Sequence, residues 1–209
     1  MEQQTITTAQ YGALQDAFTY YNKALFAGSL PEVILTFSRK SKALGFFVPS
    51  QWSDSKDSSK QAHEISMNPD YMSKRSSEQF FSTLVHEMCH LWQETSGKPP
   101  RRCYHNKEFA DKMELVGLIC SNTGVEGGKR TGQSMTHYVA KDGRFIKAFN
   151  KMPEGLYLPF TCKGLLGSEK KKVKKASHKV KYTCPICGAF VTGAAGLNIK
   201  CAECNEFMI

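Results

Sequence analysis

His86, Glu87 and His90, in the run His-Glu-Met-Cys-His, stand at a spacing that could do hydrolytic chemistry. On an α-helix, residues four apart project from one face on successive turns. Two imidazoles so placed can each bring a nitrogen about 2.0–2.1 Å from one zinc ion. Glu87 neighbours His86, so its carboxylate can reach a water at that ion without ligating it. In HExxH chemistry the ion acidifies water and polarises a carbonyl, while the glutamate takes up a proton and returns it to the leaving amine. The same pattern by chance is expected roughly once in a hundred chains of this length and histidine content. The two histidines also interrupt an apolar helix, where imidazoles without partners would be costly to bury.

A catalytic zinc needs a third protein ligand and a fourth position left open. The compact extension HExxHxxGxxH would place a histidine at position 96, which is Ser96. His105 is the better choice, because it follows the Pro99-Pro100 turn and opens the next helix, where the chain can fold back. Glu108 and Glu114 are the carboxylate alternatives, and His63 and His137 are lesser candidates. His137 or Tyr138 is a candidate for steadying an oxyanion.

A second constellation lies near the C-terminus. Cys184, Cys187, Cys201 and Cys204 form C-x2-C-x13-C-x2-C. Two CxxC turns of this kind close a tetrahedral four-thiolate site around a structural zinc. About 28 residues cannot fold on apolar burial alone, so metal is expected to carry this zinc ribbon's stability. A redox role for the pairs is the disfavoured alternative. Cys89, Cys103, Cys120 and Cys162 read as reduced thiols, mostly small buried hydrophobes.

Charge is concentrated beside the ribbon. The net charge is +9, and residues 168–181 contribute seven lysines against one glutamate. Lys170, Lys171, Lys172, Lys174, Lys175, Lys179 and Lys181 form a tract that can neutralise nucleic-acid phosphates without reading sequence. A solvated linker is the plainer account of the same residues. Nucleic acid is an expected partner of the tract and ribbon, and no membrane role is expected.

The elements that must position these residues follow from periodicity and punctuation. Tyr11, Leu14, Phe18, Tyr21 and Leu25 predict a helix over about 8–27, stopped by Gly28 and Pro31. Val33–Ser38, Leu44–Val48 and Glu64–Met67 read as strands, and 51–61 as a polar loop. Ser76 and Gln79 form a capping box for the HExxH helix, which Gly97 ends. A further helix begins just after His105 and is expected to end near 120–124. Residues 135–149 read as a hairpin turning at Asp142-Gly143.

With 41% hydrophobic and 22% charged residues, the composition is that of a globular protein. No apolar run approaches the ~20 residues of a membrane span. The first ten residues lack the features of a signal peptide, so a cytoplasmic location is expected, nucleoid-associated in a bacterium or phage and nuclear in a eukaryote. The expected domains are a main domain over 1–167, a lysine-rich linker over 168–181 and the ribbon over 182–209.

The segments TLVHEMCHLWQ and YHNKEFADKM resemble the SprT-like metallopeptidase family. YYNKALFAGSLP and EISMNP are similar to it as well. The family places its third histidine in an H-G-x-x-F motif, where this chain has His105-Asn106-Lys107-Glu108-Phe109, with Asn106 at the glycine position. The resemblance spans about residues 10–150, and the ribbon extends it. It implies an α+β minigluzincin-like core, zinc on His86, His90 and His105, and Glu87 as the catalytic base. It also implies a link to cleaving proteins attached to DNA, as Spartan-type members do, so the substrate it implies is protein and the nucleic acid is DNA, single-stranded or damaged. The function expected is thus a zinc endopeptidase. The competing readings are a nucleic-acid-binding zinc protein with an inactive or structural HExxH site, and a zinc hydrolase of non-protein amides.

Overall fold

The computed structural model describes residues 5–164 and 179–209, and the chain divides into two compact units, residues 1–164 and 165–209. The fold is mixed α+β with small sheets. Among the described residues, no helix is long and apolar enough to cross a membrane.

In the first unit, α1 (Ile6–Phe26) turns Leu14, Ala17, Phe18, Tyr21 and Leu25 inward at helical spacing. It ends where Ala27 and Gly28 both adopt left-handed conformations, with φ of 56° and 72°. Next come β1 (Ile34–Phe37), β2 (Gly45–Ser53) and β3 (Gln61–Met67), in the spatial order β1-β3-β2. The third strand therefore lies between the first two, parallel to β1 and antiparallel to β2. β2 runs to Ser53, past a register shift between Val48 and Trp52, so the first residues of the expected polar loop belong to a strand.

α2 (Ser77–Ser96) carries the HExxH run. Its capping box is formed: Gln79 N–H donates to Ser76 Oγ, and Ser76 N–H donates to the Gln79 side chain. Its apolar side buries Phe81, Leu84, Val85, Met88 and Leu91 against α1 and the sheet. Each such side chain contributes about 1.5–3 kcal/mol through removal from water. α3 (Lys107–Val116) stops earlier than the periodicity suggests, at Gly117 with φ of 93°, and Leu118–Ser121 forms β4.

β4 pairs antiparallel with β5 (Thr136–Val139), bringing Cys120 opposite His137. The expected hairpin over 135–149 is not formed. Residues Arg144–Phe149 are instead a short helix, α4, with Gly143 as its N-cap. Phe145 and Phe149 are four apart, which a helix places on one side. Phe145 stacks on Tyr21 at 5.7 Å between centroids, and Phe149 packs near Phe81 at 6.5 Å. The turn at Asp142-Gly143 is made, with Gly143 N–H donating to Ala140 O at 3.0 Å, and burial of Phe145 makes the chain beyond it a helix instead of a second strand. In the second unit, β6 (Lys179–Thr183) and β7 (Phe190–Ala194) form an antiparallel pair.

Candidate metal centres

The ligands of the histidine centre come from two segments. α2 supplies His86 and His90 from one face. The turn after α2 supplies His105, held at the start of α3 by a two-way backbone bridge: His105 N–H donates to Gly132 O at 2.8 Å, and Gly132 N–H to His105 O at 3.1 Å. Asn106, at the position of the family's glycine, caps α3 by accepting from Phe109 N–H at 3.0 Å. Buried Gln93 ties the two helices together, donating to Asn106 Oδ1 at 2.9 Å and to Glu108 Oε2 at 2.6 Å.

The three Nε2 atoms converge. His105 Nε2 is 3.3 Å from that of His86 and 3.1 Å from that of His90. Nitrogens about 2.05 Å from one ion in tetrahedral directions would stand about 3.3 Å apart, so the donor set fits a zinc-sized cation. Phe109 holds the rings from below. It stacks on His90 at 4.1 Å and meets His86 and His105 edge-on at 5.2 and 4.8 Å. His105 Nδ1 lies 3.3 Å from Gly132 O, and since a carbonyl only accepts, that nitrogen carries the proton and Nε2 keeps its lone pair.

All three imidazoles are held neutral. Burial pushes His90 down to about 3, with His105 nearby adding to the shift. Burial likewise lowers His86 and His105, the latter partly opposed by Gly132 O. Glu87 is buried beside them, and burial raises its carboxyl to about 8, against the pull of Lys40 and the Phe47 N–H. The approach of β2 to Glu87 depends on Gly45. A Cβ there would lie 3.2 Å from Ser66 O and Thr83 Cγ2 and 3.3 Å from Glu87 Cγ. Periodicity gives no hint of this glycine's role, because the contact is tertiary.

The other histidine and glutamate candidates are engaged elsewhere. His63 Nδ1 accepts from Ser50 N–H in the sheet, at 3.0 Å. Glu108 accepts from Gln93 and from Lys98 N–H, and Glu114 pairs with Arg130. His137 lies behind the centre, with Nδ1 3.2 Å from His86 Nδ1 and Nε2 3.0 Å from Ser82 Oγ. Burial, then nearby Arg75, lowers its pKa to about 4.

The cysteine centre has a different construction. The ligating atoms of Cys184, Cys187, Cys201 and Cys204 all lie within 4.8 Å of one another, and Cys187 Sγ is 3.6 Å from Cys201 Sγ. Four sulfurs about 2.3 Å from one ion would be about 3.8 Å apart, so this set also fits. The two turns repeat one hydrogen-bond pattern. Gly188 N–H donates to Cys184 O and Asn205 N–H to Cys201 O, at 3.0 and 2.8 Å, with left-handed φ of 71° and 52°. Cys184 and Cys201 N–H donate in turn to Ala189 O and Glu206 O. None of the eight cysteines is in a disulfide.

Of the candidate nucleic-acid residues, Lys170, Lys171, Lys172, Lys174 and Lys175 lie outside the described residues. Lys179 and Lys181 are exposed on β6, and Lys181 Nζ sits 4.3 Å from the Phe190 ring centroid. Lys200 makes the same contact with Phe207 at 4.9 Å.

A helix presenting two histidines and a glutamate, closed by a histidine from the next helix and backed by a small mixed sheet, defines a metallopeptidase-type domain. Residues 14–129 match the model of the SprT-like family, and the chain belongs to that family. Comparison with curated proteins finds no match.

Proposed function

We propose that the chain is a zinc-dependent endopeptidase. The observation that carries this reading is the convergence of three Nε2 atoms, with the buried Glu87 next to His86 on the same helix. His86, His90 and His105 would hold the ion, and the four cysteines a second, structural one. Bound zinc supplies Lewis acidity that polarises a carbonyl and acidifies water. The chain's residues do the rest. Glu87, with no basic side chain among the described residues hydrogen-bonded to it, accepts a proton from water and delivers it to the departing amine. Its buried position favours proton uptake, and a nearby cation would draw its pKa back toward the ordinary range.

The substrates we infer are proteins attached to DNA. Family resemblance supports this, together with the lysine tract and the exposed rings of Phe190 and Phe207, which offer stacking faces to unpaired bases. A Glu87→Gln variant is expected to keep its metal and lose at least about 10²-fold in cleavage of a DNA-bound protein. Equal cleavage by wild type and variant would leave a metal-binding protein without this mechanism. Cleavage indifferent to added DNA would remove the DNA link and keep the peptidase.

A further inference from the structure

Behind the histidine centre runs a hydrogen-bond chain from Gln79 O through Ser82 and His137 to His86. Ser82 lies on α2 one turn before His86, and its hydroxyl donates to Gln79 O at 3.0 Å, a carbonyl that also accepts from Thr83 Oγ1–H at 3.1 Å. With the Ser82 proton on that carbonyl, Ser82 Oγ accepts from His137 Nε2–H, 3.0 Å away. A neutral imidazole protonated on Nε2 has a lone pair on Nδ1. His137 Nδ1 accepts in turn from His86 Nδ1–H, at 3.2 Å. The two ring planes are within 28° of parallel, with centroids 5.2 Å apart. His86 is thereby left with its Nε2 lone pair aimed at His105 and His90.

We propose that His137 is a positioning residue: relaying the direction set at Gln79 O and Ser82, it locks His86 in the tautomer and ring orientation that metal binding requires. It acts through His86 and touches neither the ion nor the substrate. The device needs two parts of the chain. α2 carries both ends, Ser82 and His86, and the pairing of β5 with β4 delivers the link between them. With the Gly132 carbonyl setting His105 in the same sense, two of the three ligand rings are prepared before any ion arrives. The inference rests on the metal-site reading above, and groups that orient a ligand in this way are worth roughly 10- to 100-fold in metal affinity.

The test uses the full-length chain with its ribbon zinc-loaded, titrated with zinc against a chelator of known affinity. His137→Leu keeps the bulk and removes the acceptor, and should weaken the second, histidine-held zinc by roughly 10- to 100-fold. His137→Asn puts an oxygen near the place of Nδ1 and should recover most of that loss. Ser82→Ala should give a smaller loss in the same direction. Unchanged affinity in His137→Leu, or an equal loss in His137→Asn, would overturn the proposal. Long-range ¹⁵N–¹H spectra of the wild-type chain before the histidine centre is filled give an answer independent of folding in the variants. They should show His137 protonated on Nε2 and His86 on Nδ1, and the reverse assignment at His137 overturns the relay. A wild-type chain that takes up ribbon zinc alone defeats the metal-site reading, while the tautomer spectra still decide the relay.

Discussion

The two metal centres relate to their surroundings in opposite ways. The histidine centre is set into a hydrophobic core in which Tyr21, Phe81, Phe109, Phe145, Leu84 and Met88 are fully buried. Its ligands come from two helices already tied by Gln93, and its rings are oriented by Phe109, Gly132 and His137. The cysteine centre has almost no core. Among its unit's described residues the buried side chains are Tyr182, Cys184 and Cys201, while Ile186, Phe190, Leu197, Phe207 and Ile209 are exposed. In the first unit a buried core builds the candidate site, whereas in the second two of the cysteines are themselves among the few buried side chains of the described residues. A catalytic ion gains from a site that keeps its shape with one position open, whereas a structural ion needs only a closed set of ligands.

The sharpest way to break this contrast is to remove metal from both centres. A strong chelator should abolish the dispersed amide signals of β6 and β7, since binding energies of about 10–16 kcal/mol for such sites are also the folding energy. Cys184→Ser should do the same with zinc present. The signals of α1, α2 and the three-stranded sheet should persist in both cases. Ribbon signals surviving chelation would show that its two strands stand on their own.

The contrast also explains what could be read along the chain. Features carried by local geometry are legible: the i, i+4 histidines, the Ser76–Gln79 capping box and the CxxC turns, whereas the α+β class comes from the family resemblance. His105 was within reach because a short Pro-rich turn returns the chain beside α2. What periodicity cannot register is tertiary. His137 stands 51 residues from His86, and only the β4–β5 pairing brings them together. The helix over Arg144–Phe149 was misread as a strand because Asp142-Gly143 is a strong turn signal locally, whereas the reason for α4 lies on α1, at Tyr21. Gly45 lies within an expected strand and Gly117 within an expected helix, and the role of each shows only once its neighbours across the fold are known.

Gly117 tests the claim that the first unit's fold stands without its ion. It adopts φ of 93°, and a Cβ there would lie 2.6 Å from Arg144 N and 2.8 Å from Phe145 N. Gly117→Ala must bear left-handed strain of about 1–2 kcal/mol and displace the start of α4 as well. A loss of roughly 2–4 kcal/mol is expected in denaturant unfolding of the zinc-free first unit. The ribbon's zinc affinity should not change. If the loss appeared only with zinc bound, the ion would be contributing to this fold as expected for the ribbon.

The smallest expected effect separates holding the fold from holding the ligand. Gln93 is buried, and its amide reaches both Asn106 and Glu108, so Gln93→Ala removes two hydrogen bonds at the junction of α2 and α3. Glu108 keeps Lys98 N–H as a donor at 2.8 Å, and Asn106 still caps Phe109, which limits the damage. A cost of about 1–2 kcal/mol in stability is expected from the lost bonds. Because His105 is the ligand carried by that junction, zinc at the histidine centre should weaken by a few-fold, with ribbon zinc unaffected. Chelator competition and denaturant unfolding on the same variant give both numbers. A stability loss with unchanged zinc affinity would mean that the Gly132 bridge alone fixes His105, and that the α2–α3 tie serves only the fold.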